Sequence, residues 1–272
     1  MVTISVRTSG KKLSKEAASV ESENVLEDSL RNGLTDLSFR SLTEIPYQIP
    51  DELPIVAYAK RGEARDALVL PKGKDAPDPE RPMATTTRMR AIQLRKLYRG
   101  FRFAVARGSI PEMLERLDSG HYSALVLPAS DLILSGFSGR ISRYFAPEEI
   151  MPEVGAGILA AQGRAEEDYS FLSGFSDPKA ACEAVSERAF ARLMTDGEQR
   201  TVSAYAVVQG DHLVLRGLCY DKKLRKMKSG QADGSAEDAG AIGETLAKQF
   251  LEEEKKSRRP ERKPKEKKKT RK

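Results

Sequence analysis

The chain has 272 residues, 39% of them hydrophobic, with 46 Lys or Arg against 40 Asp or Glu, a formal charge of +6. That length holds one large domain or two to three small ones with real cores. No run approaches the roughly 18 apolar residues of a membrane span, and the opening MVTISVRTSGKK has no stretch suited to a signal peptide, so a cytoplasmic protein with no membrane partner is expected. The charge is uneven. The last 18 residues, Lys255 to Lys272, hold 12 of the basic and 2 of the acidic residues, so this tail carries +10 and the body −4. A tail that repels itself and buries nothing is expected to be disordered. It offers phosphate contacts to nucleic acid but no aromatics for base stacking.

Taken in order, Ile4–Val6 reads as a strand and Ser14 as the cap of a helix running to Arg31, closed by Asn32-Gly33. Leu34–Pro54 passes from an alternating strand (Leu37, Phe39) through Arg40-Ser41-Leu42-Thr43-Glu44 into a loop punctuated by three prolines. In open α/β sheets such a strand end is where ligands bind. Strands follow at Ile55–Ala59 and Ala67–Leu70, and Pro71–Pro82, with four prolines, reads as a linker between domains. A second unit has Thr85-Thr86-Thr87 before a basic helix from Arg88 to Tyr98. A strand at Phe101–Val105, a helix at Pro111–Asp118 and a buried strand at Ala124–Leu127 complete it. This alternation indicates βαβ units on a largely parallel sheet.

Val154–Gln162 embeds Gly155-Ala156-Gly157 in an apolar run, the mark of a tightly packed crossing segment. Asp177 caps a helix to Met194. Thr201–Val208 and His212–Cys219 form an antiparallel pair around Gly210-Asp211, Arg225–Lys228 adds a third strand, and Glu237–Glu254 is the last helix. Two cysteines, Cys182 and Cys219, and two histidines make neither a disulfide framework nor a metal-ligand spacing, so no metal is expected.

Several segments together resemble the porphobilinogen deaminase (hydroxymethylbilane synthase) family. Arg40-Ser41-Leu42-Thr43-Glu44-Ile45-Pro46 is similar to its His-Ser-Leu/Met-Lys-Asp-Val-Pro, and Arg65-Asp66-Ala67-Leu68-Val69 to Pro-Arg-Asp-Ala-Leu/Phe-Val. Thr85-Thr86-Thr87-Arg88-Met89-Arg90 resembles Thr-Ser-Ser-Leu-Arg-Arg. Leu117–Ala124 looks like Leu-Asp-x-Gly-Glu-Tyr-Asp-Ala, and Pro152–Gly157 like Pro-Ala-x-Gly-Gln-Gly. Ser186-Glu187-Arg188-Ala189 and Tyr205-Ala206 match third-domain landmarks, with Glu187-Arg188 expected to support the helix or a domain contact.

The resemblance implies an α/β fold of two periplasmic-binding-protein-like lobes plus a small C-terminal α+β domain. The implied division is 1–76 with 156–174 for the first lobe, 77–155 for the second, 175–254 for the third domain and 255–272 for the tail. Part of the first lobe, with a Lys/Gly-rich loop, has no counterpart here.

It also implies chemistry. The family joins four acidic pyrroles head to tail with loss of ammonia, in a pathway of porphyrin and heme biosynthesis. Arginines hold the acid side chains, and a carboxylate beside the pyrrole nitrogens steadies a cationic intermediate. A dipyrromethane cofactor is carried on a cysteine thioether.

Carried over by position, Glu44 stands for the catalytic aspartate. Arg7, Ser41, Thr86, Thr87, Arg90 and Arg107 occupy substrate- and cofactor-binding positions. Glu198 stands at the attachment cysteine, Met89, Met113 and Leu134 at arginines, and Thr43 at a lysine. A carboxylate cannot form the thioether. Each lost charge-assisted contact costs about 1.5–3 kcal/mol. The expectation is a monomeric, catalytically impaired member that binds a small anionic pyrrole or other anion. The alternatives are an active enzyme with a non-covalently held primer, and an anion- or nucleic-acid-binding module using the tail at 255–272.

Overall fold

The computed structural model describes residues 25–195 and 200–257. The strand expected at Ile4–Val6, Arg7, the start of the first helix, Glu198 and the tail beyond Ser257 lie outside the described residues. Residues 25–31 are helical (α1). The chain leaves that helix as its sequence predicts: the Asn32 N–H returns to the Asp28 carbonyl at 2.9 Å, and Gly33 takes a left-handed φ of 65°.

Three sheets follow. The first is antiparallel and orders β1 (Leu37–Ser41), β8 (Leu159–Gly163) and β2 (Ile55–Tyr58), so a strand from late in the chain lies between two early ones. Leu42, Ile45, Ile158 and Ala160 pack beneath it against Ala180 and Ala184 of α5 (Pro178–Met194).

The second sheet has five strands, ordered β5 (Phe103–Val105), β4 (Met83–Thr85), β6 (Ala124–Pro128), β3 (Asp66–Val69) and β7 (Arg143–Tyr144). Its strands 124–127 are apolar on both faces because both faces are covered. On one side lie Leu94 of α2 (Arg88–Leu97), Phe145 and Ile150; on the other, Met113, Leu114 and Leu117 of α3 (Ile110–Asp118) and Leu132 of α4 (Ala129–Leu134). A Ser109–Glu112 capping box, with Pro111 in the first turn, starts α3.

Two expectations change here. The sheet is mixed rather than largely parallel: β4 is parallel to β5 and β6, but β3 runs antiparallel to β6 and β7. The α2 and α3 crossovers enforce the parallel part, whereas β3 enters straight from the first sheet. Pro71–Pro82 joins β3 to β4 within one sheet and is not a linker between domains.

The third sheet is the meander β9 (Arg200–Gln209), β10 (His212–Asp221) and β11 (Lys226–Ser235). One face carries α5 and α6 (Ala239–Ser257), with Phe190, Leu246 and Phe250 at the core. The antiparallel pair falls where expected. The third strand is ten residues long rather than four, because KMKSGQADGS offers α6 small inward residues instead of a β-branched pattern. Among the described residues no helix is long and apolar enough to cross a membrane.

Candidate active site

The turn after β1 is one 3-10 turn, Leu42–Glu44, with Leu42 and Ile45 buried and Thr43 and Glu44 exposed. The Ser41 and Thr43 hydroxyls lie 2.8 Å apart. Two other parts of the chain press on this turn. The Leu42 N–H donates to the Ile158 carbonyl at 2.9 Å, and Gly155 passes beneath Leu42 so closely that a Cβ there would meet its side chain at 2.7 Å. From α5, Arg188 donates to the carbonyls of Ile45 (3.1 Å), Pro46 (2.5 Å) and Tyr47 (3.4 Å).

Glu187, fully buried beside Arg188, accepts from the backbone N–H groups of Gly155 (2.7 Å) and Ala206 (2.8 Å) and pairs with Arg61 at 2.8 Å. Burial raises the Glu187 carboxyl above its ordinary range, against the pull of Arg61. The pair expected to support a helix or a domain contact therefore holds the turn that carries Glu44.

The second wall comes from β4 and α2. Thr87 caps α2, its hydroxyl accepting from the Arg90 N–H at 3.4 Å. Arg90 is only 2% exposed. Its guanidinium pairs with Asp66 of β3 at 2.8 Å and with Glu153 at 3.3 Å. It also donates to the hydroxyls of Thr85 (3.3 Å), Thr86 (3.0 Å) and Thr87 (3.4 Å). Burial works against its charge and the two carboxylates outweigh that, so its pKa is raised; Asp66 is raised too, by burial.

Between these walls and the start of β9 lies a cleft of about 350 Å³, lined by Thr43, Tyr47, Thr87, Arg88, Met89, Glu153, Val154, Thr195, Arg200, Thr201 and Val202. A second, nearly filled space of about 10 Å³ sits behind it, where Ser41 and Thr43 meet Asp66, Arg90, Asp131 and Glu153. Thr43 and Glu153 line both. Tyr47 is pushed up to about 12, by burial first and then by Glu153. The segment carrying Glu198 is not described, but the residues at its two ends, Thr195 and Arg200, line the cleft.

The predicted residues thus separate. Ser41, Thr86, Thr87 and Arg90 are brought together, with Arg90 engaged inward. Glu44 and Arg107 are exposed and line neither space. Met89 and Met113 are buried and Leu134 is 86% exposed. The sequence reading missed Arg88, Glu153, Tyr47 and Arg61. Arg88 and Glu153 fall inside segments that carry the resemblance, Thr85–Arg90 and Pro152–Gly157, without being singled out there; Tyr47 and Arg61 lie in no pattern that picks them out. Cys182 is half-buried on α5 and Cys219 buried in β10, its thiol pushed up to about 11 by burial; neither lines the cleft. No group of His, Cys, Asp and Glu fit to hold a metal ion occurs among the described residues.

Comparison with known proteins gives a consistent answer. A family model described as "Porphobilinogen deaminase, dipyromethane cofactor binding domain" matches residues 3–171. The porphobilinogen deaminase of Ruminiclostridium josui is 33% identical over 252 residues, covering 91% of this chain and 86% of that one. That of Ruminiclostridium cellulolyticum is 35% identical over 225 residues (83% and 76%). That of Acetivibrio thermocellus is 38% identical over 228 residues (83% and 77%).

Proposed function

This chain belongs to the porphobilinogen deaminase family, and on that premise we propose that it keeps a cleft for acidic pyrroles but carries no thioether-linked dipyrromethane and does not sustain polymerisation of porphobilinogen. The observation that carries this reading is the placing of the thiols. A thioether to the cofactor needs a thiolate at the cleft, and the chain's two cysteines stand on α5 and in β10, off the cleft lining. By the resemblance, the family's cysteine position falls to Glu198, which lies in the sequence between two cleft residues, Thr195 and Arg200. The residues present do not fit a covalently held dipyrromethane.

The cation balance supports the same reading. Arg90 spends its charge on Asp66 and Glu153, and Met89, Met113 and Thr43 stand where the family has cations. A chain of linked pyrroles bearing two carboxylates per ring needs many arginines. A single ring needs one or two, and a cleft of about 350 Å³ is at the small end for ligand sites. Glu44 keeps a carboxyl on the turn after β1, one methylene longer than the family's aspartate, and a misplacement near an angstrom is enough to impair a positioned site.

The test is to incubate the full chain with porphobilinogen, follow its consumption, and weigh the protein intact. The expected result is a mass equal to the 30.0 kDa chain without adduct and no sustained consumption. Steady consumption with release of a linear bilane overturns the proposal and establishes an active enzyme that holds its primer without a covalent bond.

A further inference from the structure

We infer that Arg88 is the residue that binds a ligand carboxylate in the cleft, taking over at position 88 a task the family gives to position 89. The inference rests on the reading of this cleft as a pyrrole-acid site and names the group that recognises the acid.

Among the described residues, three charged side chains line the cleft. Glu153 is paired with Arg90 at 3.3 Å and Arg200 with Glu254 at 2.7 Å. Arg88 is exposed, and among the described residues it makes no ion pair or hydrogen bond through its side chain. A guanidinium stays charged at every physiological pH and presents a planar fork that matches a carboxylate at two points. Among the described residues, the cleft therefore carries one cation whose capacity is unused.

The neighbouring residue explains the placement. Where the family writes Leu-Arg, this chain writes Arg88-Met89. Successive residues of an α-helix differ by about 100° around its axis. In this chain the methionine at position 89 is 2% exposed while lining the cleft, and the arginine at position 88 is exposed. A guanidinium at 89 would be desolvated beside Arg90, already fully buried. At 88 it stays solvated until an anion arrives. Around it the lining supplies what the rest of a small ring acid needs. Met89, Val154 and Val202 are apolar, Tyr47 is a half-buried ring, and the hydroxyls of Thr43, Thr87, Thr195 and Thr201 can bond a second polar group. Glu153 in the same wall disfavours a ligand with several negative charges at one point, such as a phosphate, and favours a single carboxylate.

Calorimetric titration of the full chain with two probes, porphobilinogen and glutarate, tests this in four proteins: wild type, Arg88→Gln, Arg88→Lys and Lys96→Gln. Lys96 is exposed on the same helix away from the cleft lining and controls for net charge. The expected result is a loss of affinity of about tenfold to a hundredfold in Arg88→Gln, a smaller loss in Arg88→Lys, and none in Lys96→Gln. Wild-type binding of glutarate but not porphobilinogen, lost in Arg88→Gln, keeps Arg88 as the carboxylate site and overturns the pyrrole reading. Unchanged porphobilinogen binding in Arg88→Gln overturns the Arg88 assignment and leaves the pyrrole reading standing. Binding of neither probe by the wild-type chain overturns both.

Discussion

Arg90 and Arg88 lie two residues apart on one helix and do opposite things. Arg90 points into the protein, where Asp66, Glu153 and three threonine hydroxyls consume its charge and its donors. Removing one member of such a buried pair leaves the other charged and unmatched, which costs about 3–5 kcal/mol. Arg90→Met is therefore expected to lower unfolding free energy by about that amount, read from urea denaturation. An arginine held in reserve for ligand would change stability by only about 0.5 kcal/mol when removed, so the measurement separates a structural pin from a binding group.

At the scale of elements, the candidate site is held by short segments that meet end-on. The 3-10 turn after β1 is clamped between Gly155-Ala156-Gly157 and α5, and the glycines are there because neighbours press close: the Leu42 side chain on Gly155 and the Glu63 backbone on Gly157. Gly157 has φ +76°, and a Cβ on it would sit 2.9 Å from the Glu63 carbonyl oxygen. Both the positive φ and the contact penalise a side chain, so Gly157→Ala is expected to cost about 1–3 kcal/mol, seen as a lowered thermal midpoint. The apolar run with G-A-G was legible as a crossing segment with tight packing, since glycine in such a run has few other uses. What it packs against was not, because Leu42 and Glu63 are about a hundred residues away in sequence. The caps act locally: Asp177 before α5, Ser109 before α3 and Thr87 before α2 each bond within three residues of themselves, and of these Asp177 was legible as a cap in the sequence.

For the whole molecule, the decisive residue is Arg61. Lying between β2 and β3, it donates to the carbonyls of Ala156 at 2.9 Å and Ala206 at 3.2 Å, and pairs with Glu183 and Glu187 of α5 at 3.3 and 2.8 Å. One side chain thus joins the passage out of the first sheet, the crossing segment, the long helix and a strand of the third sheet. Its side chain is 10% exposed and stacks over Tyr205 at 4.9 Å. Arg61→Met leaves two carboxylates under-compensated and is expected to destabilise the protein by at least about 3 kcal/mol. The third sheet should then loosen before the second, because the second sheet's two core clusters contain no residue that Arg61 bonds. Hydrogen exchange on the β9 amides measured against those of β6 reads that order.

The sequence by itself determined the longer helices α2, α3, α5 and α6, the Asp177 cap, the antiparallel pair of the third sheet, the crossing segment and the family, because each rests on neighbours in the chain or on landmarks in a fixed order. It also carries the resemblance by which we propose that Glu198 takes the position of the family's cysteine. Only the tertiary structure decided that β3 joins the second sheet in the opposite sense and that β11 runs for ten residues under α6. It alone decided that of the two arginines in the first turn of α2 one is spent and one is open to the cleft. Those outcomes depend on partners far along the chain: β6 for β3, α6 for β11, and Asp66 and Glu153 for Arg90. A charge has no direction until the fold has placed its counter-charge, and that is why the composition of the site was readable and its electrostatics were not.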